Sequence, residues 1–154
     1  MMDAGLLRAY RETDYIVGRA GGALCGAAHA GFVLHIGMAS TPLESLYRQY
    51  DVGCAAFVTA FNPYSRRASR QENQAGNARL QAWLERRGYR YFHGVGRHPD
   101  GQWPGEPGFL ILGLSRRGAR ALGRFCRQNA VVWCGGDAVA QLDLLCRESR
   151  AGCG

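Results

Sequence analysis

The sequence predicts an α/β domain of the α+β kind: a ferredoxin-like split βαββαβ core with an N-terminal β-hairpin and helix added. Three observations predict it. From Ala55 onward the hydrophobic pattern runs strand, helix, strand, strand, helix, strand. Both helices in that order open on a serine, Ser69 and Ser115, whose hydroxyl can cap exposed backbone N–H groups. The run from Ala55 to Phe61 is short, apolar throughout and rich in aromatic and β-branched residues, as a central strand buried on both faces should be.

Taken in order, Leu6, Leu7 and Tyr10 followed by Tyr15-Ile16-Val17 predict a short helix running into a strand. The small residues Gly21 to Ala28 form a flexible hairpin loop leading to a strand over Phe32 to Ile36, where His35 lies on the opposite face from Leu34 and is assigned a structural role. A helix then starts with Thr41 as N-cap, Pro42 first and Glu44 third, carrying Leu43, Leu46 and Tyr47 inward. The central strand ends at the turn residues Asn62-Pro63-Tyr64-Ser65. A capping box from Ser69 to Glu72 opens a helix to Arg87, closed by Gly88, with Asn73, Asn77, Leu80 and Leu84 on one face. Tyr89 to Phe92 reads as a strand, Gly94 to Gly108 as a long turn-rich loop, and Phe109 to Leu114 as a neighbouring strand. Ser115 caps a helix through Arg127, with Ala119, Leu122, Gly123 and Cys126 on one face; Gln128-Asn129 leads into a last strand, Ala130 to Trp133.

The 154 residues suit one domain, able to bury roughly two thirds of the unfolded surface without staples. No repeat or composition shift divides them, so residues 1–146 are expected to form one globular domain and 147–154 a disordered tail. All 19 basic residues are arginine, which reads first as codon bias. The net charge of +7 still favours an anionic partner over a cationic one. Six cysteines, at 25, 54, 126, 134, 146 and 153, lack C-x-x-C spacing and are expected to be free thiols in a reducing compartment. Met1-Met2-Asp3 lacks the positive start of a secretory signal, so a cytoplasmic location is expected. The uncharged stretch 20–43 is broken by two histidines and five glycines, which argues against a membrane span.

Right-handed crossovers in this topology gather three loops at one end of the sheet: 62–69, 94–108 and 128–129. That end collects the polar residues with no evident structural duty. Asn62, Asn73, Asn77, Gln128 and Asn129 would orient a ligand, together with Tyr64, Ser65, Asp100 and Trp103. Arg66, Arg67 and Arg97 would grip an anion, cradled at the helix N-terminus beside Arg66, Arg67 and Arg70. His98 and Glu106 would serve as acid or base. Each has a plainer alternative: 62–65 and 98–101 are ordinary turn sequences, and Asn73 and Asn77 would equally well latch a loop in place.

Several of these motifs, in order, carry a family resemblance. Ala56 to Ser65, Glu72-Asn73 with Asn77, the stretch Gly94 to Pro107 with Gly96-Arg97, Pro99-Asp100-Gly101, Trp103-Pro104 and Glu106-Pro107, and Gln128 to Trp133 together resemble a bacterial family catalogued as domain of unknown function 3293. The resemblance covers Ala9 to Gly136. It implies a bacterial cytosolic protein and supplies no catalytic residues. The chain departs from it in the Gly/Ala-rich insertion between Gly18 and Gly31, and in Gly118 and Gly123 within the last helix.

The expected function is binding of a small anionic ligand, a nucleotide or phosphorylated metabolite, at the polar loop cluster. No triad, metal cluster or P-loop is present, so neither a cofactor nor a reaction is specified. The first alternative is a nucleic-acid-binding module, with Phe57, Phe61, Tyr89, Tyr91 and Trp133 stacking bases, although Phe109 to Leu114 lacks the RNA-recognition signature. The second is a partner-binding protein with no ligand.

Overall fold

The structure, a computed structural model, describes residues 3–18 and 31–145. Helix α1 (Ala4–Glu12) leads into β1 (Asp14–Val17); β2 (Phe32–Leu34) follows, then α2 (Thr41–Tyr50) and β3 (Ala55–Val58). A single 3-10 turn (Pro63–Ser65) precedes α3 (Arg70–Arg87), and β4 (Tyr91–Arg97) and β5 (Glu106–Leu112) follow it. The described chain ends with α4 (Arg116–Phe125), β6 (Ala130–Cys134) and β7 (Ala140–Leu144). Among the described residues seven strands form one antiparallel sheet in the order β2-β1-β4-β5-β3-β6-β7.

The fold is thus mixed α+β, and the added N-terminal strands β1 and β2 pair antiparallel, with β1 beside β4. The sheet curls. Just past β2, Ile36 and Ala39 form bridges with Ala140 and Val139, which brings the two outer strands towards each other. Alternation along each strand sorts the core into two clusters. Inside the curl, Tyr15, Leu34, Phe57, Phe92, Leu110, Val132 and Ala140 draw on all seven strands and pack against Leu43, Leu46 and Tyr47 of α2. Outside it, Ala56, Val58, Ile111 and Val131 pack against Leu80 and Leu84 of α3 and Ala119 and Leu122 of α4. The two crossover helices therefore share one face of the sheet and α2 takes the other.

Local signals explain most boundaries. Ser69 accepts from the Glu72 N–H at 3.1 Å while the Glu72 carboxylate accepts from the Ser69 N–H at 3.4 Å, and Gly88 closes α3 in the left-handed conformation, as predicted. The cap of α2 is Ser40 rather than Thr41: its hydroxyl accepts from the Leu43 N–H at 3.2 Å, and Pro42 sits second in the helix. Helix α4 stops at Phe125, two residues short of the expectation, because Arg127 turns left-handed (φ 56°).

The largest correction concerns Gly94 to Gly108. Both ends of this stretch are strand, residues 94–97 in β4 and 106–108 in β5, and only residues 98–105 connect them. Gly94 and Gly108 are there for close approach, not for turning. A Cβ on Gly94 would lie 2.6 Å from the Phe57 ring, and one on Gly108 would lie 2.8 Å from the Val58 carbonyl. Gly123 of α4 has the same origin: a Cβ there would sit 2.5 Å from both Val131 and Leu145. Strand β7 was not anticipated. The predicted loop at 21–28 and tail at 147–154, with Cys25, Cys146 and Cys153, lie outside the described residues; Cys54, Cys126 and Cys134 are free thiols. Among the described residues no helix is long and apolar enough to cross a membrane.

Candidate functional site

The site begins with the strained turn after β3. Asn62, Tyr64 and Ser65 all take left-handed backbone, with φ of 46°, 56° and 59°. Each such residue costs on the order of 1–3 kcal/mol, and a bulky tyrosine there is an outlier that its surroundings must impose. The surroundings are a network of side-chain amides. The Asn62 N–H donates to Asn73 Oδ1 at 2.8 Å, while Asn62 Oδ1 accepts from Asn73 Nδ2 and from the Ala68 N–H, both at 3.0 Å. Asn77 accepts from the Ala60 N–H at 2.9 Å and donates to the Pro107 carbonyl at 2.8 Å. Gln128 donates to the carbonyls of Phe61 and Cys126, and the Tyr64 N–H donates to the Arg127 carbonyl at 2.7 Å. These amides replace the hydrogen bonds that an irregular buried backbone cannot make with itself.

Beside this turn lies a cavity of about 470 Å³. Its base is the open end of the inner core: Tyr15, Phe57, Val132 and Leu142. Leu6, Ala9, Tyr10 and Thr13 close one side from α1 and its C-cap. This helix has no fully buried residue, and Leu6, Ala9 and Tyr10 of it line the cavity. The connection 98–105 supplies the rim through His98, Asp100, Gln102 and Trp103. Thr59, Ser65, Glu106 and Gln128 complete the wall.

Two polar groups in this wall keep bonding capacity. Glu106 accepts from Asn62 Nδ2 at 2.8 Å and from Trp103 Nε1 at 3.2 Å, both through Oε1; Oε2 has no hydrogen-bond donor among the described residues. Burial pushes the Glu106 carboxyl above the usual carboxylate range, against the pull of those two donors. Opposite it, the hydroxyls of Tyr10 and Ser65 are 2.7 Å apart, and Asn129 Nδ2 donates to Ser65 Oγ at 3.1 Å. Whichever hydroxyl donates to the other, the second proton has no acceptor among the described residues. Burial raises the Tyr10 phenol above its ordinary value, with Glu106 adding to the rise, so it stays a neutral donor. Tyr15, raised likewise by burial, donates to the Tyr10 carbonyl at 3.3 Å.

His98 joins the rim to α1. Its Nε2 is 3.1 Å from Glu12 and its Nδ1 2.9 Å from Asp100, and these carboxylates, Asp100 foremost, raise its pKa. Among the described residues no group of three or more His, Cys, Asp or Glu side chains is placed to hold a metal ion.

The three predicted loops do meet. Ser65, His98, Asp100, Trp103, Glu106 and Gln128 line the cavity. Asn62, Asn73, Asn77 and Asn129 stand behind it as the framework. Tyr64 is half-buried outside the lining, and Arg66, Arg67 and Arg97 are exposed and also outside it. Sequence reasoning missed Tyr10, Thr13, Tyr15, Thr59 and Gln102 as wall residues. The signal for Tyr10 was the apolar stripe of α1, which marks a face to be covered without naming its partner; Thr13 and Tyr15 lie outside that helix.

Residues 58–131 match the model of a family described as Protein of unknown function (DUF3293), which bears out the resemblance over that segment. The segment contains the amide network, the rim and Glu106, but not α1 or the base residues Tyr15, Phe57 and Val132. No curated protein and no solved structure matches the chain.

Proposed function

We propose, taking residues 58–131 as the domain of that family, that the protein binds a small organic molecule in the cavity between α1 and the connection 98–105. The observation that carries this reading is the cavity itself: about 470 Å³, apolar at its base, with an unused carboxyl oxygen and an unused hydroxyl proton in its wall. Ligand sites typically have 300–1,000 Å³ and a few placed polar groups in an apolar lining. We read the four strands β4-β5-β3-β6, with α3 and α4 on one face, as the split βαββαβ arrangement, whose loops at one end frame that cavity.

The charge preference read from the sequence changes sign. Arg66, Arg67 and Arg97 stand outside the lining, while Asp100 and Glu106 are in it, so an arginine-cradled anion is the poorer fit. Base stacking is also a poor fit. Phe57 and Tyr91 are each 4% exposed, Tyr89 stacks on Trp83, and Trp133 donates to the Leu114 carbonyl. Both faces of the central strands are covered, where a base-stacking sheet needs one open.

The test is a thermal-shift screen of neutral, cationic and anionic metabolites against the parent and Ala9→Trp, whose indole fills the cavity from the partly exposed α1. A ligand at a hundredfold its Kd stabilises by about 2.7 kcal/mol. Stabilisation of the parent and not of Ala9→Trp is the expected result; equal stabilisation of both places the ligand elsewhere and overturns the proposal.

A further inference from the structure

The chemistry of the cavity wall narrows the ligand class, an inference that rests on the cavity being a ligand site. Every one of the 19 basic residues in this chain is arginine, and none of them is among the described residues that line the cavity. A protein of net charge +7 has thus kept its permanent cations out of the lining of this cavity, and placed Glu106 and Asp100 there instead. His98, the remaining cationic candidate, is held between Glu12 and Asp100. Arg97 neighbours Gly105 and Val95, on the opposite face of β4 from Gly96.

Glu106 receives two neutral donors on one oxygen and none on the other. A carboxylate so placed is short of a positive partner. Around it stand aromatic rings, Tyr10, Tyr15, Phe57 and Trp103, with Tyr15 and Phe57 meeting at 59° and 5.3 Å between centroids. Ring faces attract cations and repel anions, an attraction that strengthens when water is excluded. The apolar remainder, Leu6, Val132 and Leu142, suits a hydrocarbon tail.

We propose that the cavity takes a small organic cation, a primary or substituted alkylammonium compound, with its ammonium on Glu106 Oε2 among the aromatic rings and its hydrocarbon part over Phe57, Val132 and Leu142. The ionised form of Glu106 is the binding form, so affinity rises with pH through the elevated carboxyl titration and levels off above it. Of the other groups facing it, Tyr10 and Tyr15 remain neutral phenols in that range. His98 loses its charge as pH rises, which acts in the same direction, so the pH profile is assigned by substitution and not by shape alone.

The experiment measures binding of hexylammonium, hexanol and hexanoate by calorimetry to the parent and to Glu106→Gln, which keeps an oxygen for Asn62 and Trp103. Hexylammonium is expected to bind the parent at least about tenfold more tightly than hexanol, and Glu106→Gln to bring the two within about twofold by weakening the amine alone. If hexanol matches hexylammonium in the parent, or hexanoate binds best, the cation assignment is overturned while the cavity remains a ligand site. If the amine preference survives in Glu106→Gln, the assigned contact is wrong. If none of the three binds and the broader screen also fails to distinguish Ala9→Trp, both this inference and the ligand site fall.

Discussion

Asn62, Asn73 and Asn77 on one side of the 62–69 turn, and Tyr10, Ser65 and Glu106 on the other, are equally polar in sequence and opposite in bonding. On the first side nearly every amide group is satisfied by protein, mostly by backbone. On the second side a carboxyl oxygen and a hydroxyl proton remain unused in a cavity wall. A polar cluster at the end of a sheet is therefore two things at once: a framework that offsets the strain of three left-handed residues, and a surface that the framework holds open. In the proposed reading, only the second meets a ligand.

Substitutions on the framework should cost stability, and substitutions on the facing wall should cost binding. The largest effect is expected for Asn73→Ala, which removes the acceptor of the Asn62 N–H and one donor to Asn62 Oδ1, both buried. Unsatisfied buried groups cost about 1–3 kcal/mol each, so urea denaturation should show a loss of about 2–4 kcal/mol. Asn77→Ala should cost less, about 1–2 kcal/mol, because its bond to Pro107 is exposed. If either variant is as stable as the parent but loses ligand binding, the division between framework and wall is wrong.

Glu106→Gln sharpens the contrast through pH. Burial raises the folded carboxyl above its unfolded value, so the folded state holds that proton more firmly. Its contribution is fully present below the unfolded value and is lost as pH rises through the folded one. Glu106→Gln has no such titration; its stability relative to the parent should therefore increase across that window, read from melting temperatures between pH 4 and 8. A constant difference would mean that Glu106 is not desolvated. The smallest effect is expected for Tyr10→Phe, within about 0.5–1.5 kcal/mol in the same denaturation assay, since one hydroxyl bond at a half-buried pair is lost.

How much of this was legible in the sequence follows distance along the chain. The α3 capping box and Gly88 act within a few residues and were read correctly. Gly94 and Gly108 were misread as turn residues because what demands them, the Phe57 ring and the Val58 carbonyl, comes from β3. Strand β7 was missed because its buried position on the α4 face holds Asp143, a charge where a strand pattern wants an apolar side chain; Arg116 and Arg120 of α4 compensate it. The gathering of three loops was foreseeable from topology, but the α1 wall was not: Tyr10 meets Ser65, a partner 55 positions away. Arg66 and Arg67 form a basic pair ahead of a helix start, and sequence does not say that both are exposed and outside the cavity lining.

The bridges from Ile36 and Ala39 to Ala140 and Val139 join segments about 100 residues apart. Contacts so distant form late, since the entropy of closing the intervening chain must be overcome before they contribute. Leu142 reaches the cavity only from β7, so an emerging chain could complete the hairpin, α2 and α3 while this interior still stood open to water. A ligand that favours the closed curl would then act as a selective stabiliser of the last-formed contacts, slowing unfolding more than it speeds folding.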